Sequence, residues 1–160
     1  MHNNKNLIEW QRDQYQHDLR YHFDVISLHK NDRLKHYALH FAKYVGRIAR
    51  GDCEEKTIEQ TVTDAILITL SAANCLHQEL AHTPSAERAP LLSTLADASG
   101  RFCDCAEKID HQEPFLDAAR RANQDIFNLL IDWTNSADVN ISTLLDQRRQ
   151  QLKQRQFFVR

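Results

Sequence analysis

The sequence predicts an all-α protein, a helical bundle of about six helices. Only three glycines and three prolines occur in 160 residues, whereas a β-rich fold would need more of these turn-forming residues. Apolar residues recur at helical intervals along most of the chain. Signals for helix starts and helix ends separate these periodic stretches. The length suits one domain, and we treat residues 1–160 as a single all-α domain.

Composition and charge narrow the class of protein. The formal net charge is -2 at pH 7, whereas a general nucleic-acid binder should be clearly basic. No run of about 18 apolar residues is present, as a membrane span would require. The start of the chain has no apolar core of a signal peptide. We therefore expect a cytoplasmic protein whose four cysteines are reduced.

Six helices are expected from the apolar periodicity and the end signals. The segment "TIEQ", which begins at Thr57, has the form of a capping box and opens the third helix. Gly51 suits the position just past the second helix, and Pro114 suits the first turn of the fifth. The third helix is apolar nearly all round and should be central. The expected helices cover roughly 7–28, 32–50, 57–80, 91–109, 114–135 and a last segment from 141.

Two helix pairs look like copies of each other. The segment "GRI" from Gly46 aligns with "GRF" from Gly100, and "DAILITLSAAN" from Asp64 aligns with "DIFNLLIDWTN" from Asp125. We expect two tandem helical hairpins that form a four-helix core, with the first and last helices outside it. The two glycines are expected to let a neighbouring helix approach closely. The candidate repeats span 32–80 and 91–136.

Two segments of the first pair carry a family resemblance: "YVGRIAR" from Tyr44 and "TVTDAILITLSAANCL" from Thr61. Together they resemble the MazG-like all-α nucleoside triphosphate pyrophosphatases. That family has a Glu-x-Gly-Glu-Leu-Ala-Glu-like segment and, later, Glu-x-x-Asp before an apolar run. The resemblance implies Mg²⁺ held by those acids, which binds the phosphates and activates a water. It also implies a homodimer, for which the apolar tail "FFVR" suggests a surface to cover.

Most of the acids in the family motif are missing here. Thr61 stands where the family has Glu, and Asp64 is the acid that survives in the first pair. In the first motif the family's glutamates are replaced by Tyr44, Arg47 and Arg50, and the second pair has Ala98, Arg101, Ala122 and Asp125 at the matching positions. Mg²⁺ needs several hard oxygen ligands. The resemblance therefore leaves Asp64 and Asp125 as metal ligands, and Mg²⁺ is expected only if the site is active.

An internal ion pair is the alternative to a metal in each copy. A guanidinium can bridge a carboxylate with two hydrogen bonds. We therefore predict that Arg47 pairs with Asp64 and that Arg101 pairs with Asp125. The other interpretation is that both arginines are simply solvated, because exposed pairs contribute little to stability.

Two further groups of residues are candidates for binding. The basic end of the chain provides candidates for phosphate binding, although a charge run is more often a solvated face. These candidates are Arg148, Arg149, Lys153 and Arg155. His36 and His40 share a helix face at a spacing that a divalent metal can bridge. The alternative is one core histidine and one surface histidine.

Three functions stay open at this stage. We prefer a descendant of the family fold that has lost its acids and binds a ligand, such as a nucleotide, or a protein partner without catalysis. The first alternative is an active Mg²⁺-dependent nucleoside triphosphate pyrophosphohydrolase with a rebuilt site. The second is an unrelated helical bundle that acts in protein interaction. Whether the chain is an enzyme stays open, and the missing acids argue against it.

Overall fold

The computed structural model describes residues 7–154. All regular elements in this range are helical, which confirms the all-α class. One helix more than expected forms, because the first expected helix is divided. The helices are α1 (Leu7–Tyr21), α2 (Phe23–Ile26), α3 (Lys30–Arg50), a 3₁₀ turn (Gly51–Cys53), α4 (Ile58–Cys75), α5 (Leu91–Lys108), α6 (Leu116–Ser136) and α7 (Ile141–Lys153). Within the described residues, no helix is long and apolar enough to cross a membrane.

Helix α4 lies at the centre and packs against α1, α3, α6 and α7, while α5 packs against α3 and α6. The predicted capping box starts α4. The Gln60 N–H donates to Thr57 Oγ1 at 3.2 Å, and the Thr57 N–H donates to Gln60 Oε1 at 3.1 Å. From residue 61 to residue 75, Ile68 and Asn74 are the residues of α4 that are not buried. The prediction of a central helix, apolar nearly all round, is therefore confirmed.

The expected continuous helix over about 7–28 is wrong. Helix α1 ends at Tyr21, and His22 has φ -129° and ψ 41°, outside the helical region, before the single turn of α2. The break redirects the chain, so that Val25 packs against the core whereas Phe23 is 64% exposed. Phe23 and Val25 therefore do not extend the buried face of α1.

Helix α1 buries a polar stripe rather than the expected apolar one. Tyr15 is 43% exposed. The Gln11 side chain donates to the Gln78 carbonyl and accepts from the Leu80 N–H, both at 2.8 Å. It thereby satisfies backbone groups beyond the end of α4, which removes the penalty for burying an amide. The buried residues of α1 are Trp10, Gln11, Gln14, His17 and Asp18.

The connection between α4 and α5 is held against α6 by side chains that lie one helical turn apart. Gln124, Asn128 and Asp132 accept hydrogen bonds from the backbone N–H groups of residues 81, 83 and 85, at 3.2, 3.4 and 3.2 Å. The spacings match, because two extended residues advance about 6.6 Å and four helical residues about 6 Å. This connection is therefore fixed although it has no regular structure of its own.

The position predicted for Pro114 is wrong by two residues. Helix α6 begins at Leu116, and Phe115 is its N-cap residue with φ -132° and ψ -22°. Pro114 therefore precedes the helix instead of lying in its first turn, because the residue after it has not yet entered the helical conformation.

The prediction that Gly46 and Gly100 allow a close helix approach is also wrong. A Cβ atom at Gly100 would meet nothing within 4 Å, and one at Gly46 would meet Arg50 Nη1 of its own helix at 3.3 Å. No part of a neighbouring helix lies over either position in the described structure. Gly51, in contrast, follows α3 directly with φ 53° and ψ -125°. The positive φ suits glycine at this place, although the residue is not in the left-handed helical conformation that usually ends a helix.

Replacing Gly100 by alanine should stabilise the protein. Glycine inside a helix costs about 0.5–1 kcal/mol relative to alanine, and the new methyl group meets no neighbour. We expect the free energy of unfolding, measured by urea denaturation, to rise by that amount for Gly100→Ala. The matched control is Gly51→Ala, which should lower it because alanine disfavours positive φ. A loss of stability in Gly100→Ala would contradict the open surroundings of this position.

Candidate functional site

A cavity of about 270 Å³ is lined by residues of α1, α2, α3, α4 and α7 and by the loop before α4. Its apolar walls include Val25, Ile26, Leu67, Ile68 and Leu152. The charged residues that line it are the four cations Lys43, Arg47, Lys56 and Arg148 and the two carboxylates of Asp18 and Asp64. Four positive charges against at most two negative charges leave the cavity with a positive excess.

One carboxylate on α4 holds three of these cations, and we call Arg47, Lys56, Asp64 and Arg148 the Asp64 cluster. Arg148 Nε donates to Asp64 Oδ1 at 2.6 Å, and Lys56 Nζ donates to Oδ2 at 2.9 Å. Arg47 Nη1 donates to Oδ2 at 3.4 Å. The Asp64 side chain is 9% exposed. Burial by itself would raise the pKa of Asp64, but the hydrogen bonds from Arg148 and Lys56 outweigh it and lower the pKa.

The Asp64 cluster does not fit a Mg²⁺ site. Both oxygens of Asp64 already accept hydrogen bonds from cations, and Asp125 does not line this cavity. Among residues 7–154, no group of three or more His, Cys, Asp or Glu is placed to hold a metal ion. Mg²⁺ needs several oxygen ligands, and neighbouring cations repel it. We therefore derive no metal-dependent step at this cluster.

The corresponding residues of the second helix pair lie on the surface. Arg101 Nη1 donates to Asp125 Oδ2 at 2.9 Å, and Arg101 Nε donates to Asp97 Oδ2 at 3.0 Å. The side chains of Arg101 and Asp125 are 44% and 52% exposed, so their attraction is weakened by solvent. Both predicted Arg–Asp contacts thus occur in the structure, but their surroundings differ. The exposed Arg101–Asp125 pair has a second acid, Asp97. The buried Arg47–Asp64 pair has two further cations in the Asp64 cluster.

One of the four candidates for phosphate binding, Arg148, lines the cavity. Arg149 is 6% exposed, and its Nε donates to Gln14 Oε1 at 3.0 Å. Lys153 Nζ lies 5.5 Å from the centre of the Tyr21 ring, away from the cavity lining. Arg155 lies outside the described residues, as does the "FFVR" tail on which the expectation of a homodimer partly rests.

His36 and His40 line the cavity as a neutral pair. Their Nε2 atoms are 3.1 Å apart, and His40 Nδ1 is 3.0 Å from Lys43 Nζ. An ammonium can only donate, so His40 Nδ1 accepts and His40 Nε2 carries the hydrogen that it donates to His36. Burial and the nearby Lys43 lower the pKa of His40 to about 3, and burial lowers that of His36. This network uses nitrogen atoms that a bridging metal would need.

The other carboxylate of the cavity belongs to Asp18, and we call Asp18, Gln14 and Ser71 the Asp18 floor. Ser71 Oγ donates to Asp18 Oδ2 at 2.6 Å, and Gln14 Nε2 donates to Oδ1 at 2.9 Å. Asp18 is 5% exposed. Burial raises the pKa of Asp18 to about 6, although the hydrogen bonds from Ser71 and Gln14 act in the opposite direction.

Seven polar residues that line this cavity were not predicted from the sequence: Gln14, Asp18, His22, Tyr37, Lys43, Lys56 and Ser71. Lys43 and Lys56 carry no local signal, because isolated lysines are usually solvated. Gln14 and Asp18 are four residues apart on α1, and Ser71 interrupts the apolar run of α4. The Asp18 floor did have a signal in the sequence. Polar residues recur at helical spacing on α1, a helix that must pack against others.

Comparisons of the chain with protein-family models, with curated proteins and with solved structures find no match.

Replacing Asp18 by asparagine should stabilise the protein more at pH 7.5 than at pH 4.5. The folded-state pKa of about 6 lies above the ordinary value of 3.8, so the folded state favours the protonated carboxyl. The protonated carboxyl therefore adds to the free energy of unfolding below about pH 4, and this contribution is lost as the pH rises through 6. We expect the gain in unfolding free energy from Asp18→Asn to grow by roughly 1–3 kcal/mol between the two pH values.

Urea denaturation of both proteins at each pH measures this difference. His17 also has a lowered pKa, of about 4, and with His40 it makes the folded state less stable at low pH. These histidines are present in both proteins, so the difference between variant and wild type isolates Asp18. If Asp18→Asn raised the free energy of unfolding equally at both pH values, the Asp18 carboxyl would not be buried without a compensating charge.

Proposed function

We propose that this protein is a non-catalytic binding module for a small anionic ligand, with phosphate-bearing molecules such as nucleotides as the favoured class. The observation that supports this most is the excess of positive charge in the Asp64 cluster, where three cations share one carboxylate. Cations brought together in a poorly solvated place are unfavourable unless anions balance them. Phosphate carries the negative charge and the acceptor oxygens that suit arginine and lysine donors.

We propose further that the fold is that of the MazG-like proteins, with a four-helix core of two tandem hairpins and without the acids of the family. Packing of α3 on α4 and of α5 on α6 supports this proposal. So does the Arg–Asp contact within each pair, at positions where the family has acids. The homodimer belongs to the same proposal and rests on the resemblance.

Neutralising Asp64 should strengthen anion binding. Asp64→Asn keeps the shape of the side chain but removes the negative charge that competes for the three cations. We expect inorganic pyrophosphate to bind about tenfold more tightly to Asp64→Asn than to the wild type, in titration calorimetry without divalent metal. Arg148→Gln should weaken the same binding by about tenfold, because it removes one charged donor.

The exposed pair supplies the matched controls for this experiment. Asp125→Asn and Arg101→Gln make the same chemical changes outside the cavity, and pyrophosphate affinity should stay within about twofold of the wild type in each. Weaker binding in Asp64→Asn would contradict the proposal. So would Mg²⁺-dependent or Mn²⁺-dependent pyrophosphate release from nucleoside triphosphates that is lost in Asp64→Asn, since Asp64 would then be a metal ligand of an active enzyme.

A further inference from the structure

The proposed anion site leaves the second carboxylate of the cavity without a role. Ser71, which donates to Asp18 at 2.6 Å, lies seven residues after Asp64 on the same helix. Seven helical residues advance about 10.5 Å. One cavity therefore offers a cationic end, at the Asp64 cluster, and an acidic end, at the Asp18 floor, about 10 Å apart along α4.

Within the described residues, no cation contacts the carboxylate of the acidic end directly. From α1 and α4, Asp18 receives hydrogen bonds from two neutral groups, Gln14 and Ser71. Within residues 7–154, no cation forms a salt bridge with Asp18. Arg149, which α7 brings near it, donates its Nε to Gln14 at 3.0 Å instead.

The other titratable groups around Asp18 do not balance its charge. Tyr37 of α3 lines the same cavity, and burial together with the charge of Asp18 raises the pKa of Tyr37. His17 on α1 is kept neutral by burial and by nearby positive charges, which lower its pKa to about 4. A buried carboxylate without a cation is costly. The donors to Asp18 are therefore neutral groups, whereas at the other end three cations surround the single carboxylate of Asp64.

The wall between the two ends suits an uncharged connecting body. Leu67 and Ile68 lie between Asp64 and Ser71 along α4. Val25 and Ile26 of α2 line the same cavity. A hydrocarbon chain or a flat ring can fill such a space without leaving polar atoms unsatisfied.

We propose that Asp18 is a ligand-recognition residue that pairs with an N–H donor or a cationic nitrogen of the ligand bound at the Asp64 cluster. The occupant is then an amphoteric small molecule, with its anionic group and its nitrogen about 10 Å apart on an apolar body. This inference rests on the proposed function, because the anionic end of the same molecule must lie at the Asp64 cluster.

Two matched pairs of phosphates test the inference on the whole protein, by titration calorimetry without divalent metal near pH 7.5. One pair is 6-aminohexyl phosphate and hexyl phosphate, and the other is adenosine 5′-monophosphate and purine riboside 5′-monophosphate, which lacks the amino group. The first pair tests an alkyl amine and the second an amino group on a ring. In at least one pair, we expect the nitrogen-bearing member to bind about tenfold more tightly, or better.

The variant Asp18→Asn should remove this preference, so that the two members of each pair bind with affinities within about twofold of each other. Lowering the pH to about 5 should also remove it, because Asp18 then takes up a proton. The phosphate monoester titrates in the same range. Both members of a pair share that change, so the ratio of their affinities reports on Asp18.

Equal affinities within both pairs in the wild type would overturn the inference, and this comparison does not depend on any variant folding. A preference that survives in Asp18→Asn would overturn it as well. In both cases, pyrophosphate binding that Arg148→Gln weakens would still support the proposed function. If neither pyrophosphate nor any of the four phosphates binds, both proposals fail together.

Discussion

A single buried carboxylate connects three of the helices that surround the cavity. Asp64 of α4 accepts hydrogen bonds from Arg47 of α3, from Lys56 in the loop before α4 and from Arg148 of α7. Such a cluster adds little net stability, because desolvation offsets much of the attraction. Removing one member is nevertheless costly, since the remaining charges are left uncompensated. The cluster therefore fixes how α3 and α7 lie against α4, and with them the shape of the cavity.

Hydrogen bonds hold the outer helices in addition to apolar contacts. The Gln14 side chain accepts from Arg149 of α7 and donates to Asp18, so one amide joins α7 to the Asp18 floor. Polar networks of this kind specify one arrangement when every member is satisfied. In the described chain, Trp10 Nε1 and both ring nitrogens of His17 are buried without a hydrogen-bond partner, so the network is incomplete on this side of α1.

The sequence predicted the ends of α3, α5 and α6 to within about two residues and the start of α4, because their apolar stripes and the capping box at Thr57 are local signals. The expected end of α4 near residue 80 is wrong, since the helix ends at Cys75. It also predicted which arginine meets which aspartate, since the Gly-Arg and Asp positions recur in both pairs. The polar face of α1 was missed, because apolar periodicity says nothing about polar residues whose partners lie on other helices. The Asp64 cluster was missed in part, since Arg148 is 84 positions away in the chain.

The segment between α4 and α5 would be chosen from a sequence as a place that tolerates changes of length, as surface loops usually do. Its alternate N–H groups, however, are paired with successive turns of α6 through Gln124, Asn128 and Asp132. Inserting or deleting one residue between 81 and 85 would shift these N–H groups out of phase with the turns. A homologue with a different length here would need compensating changes on α6, so the two segments are expected to evolve together.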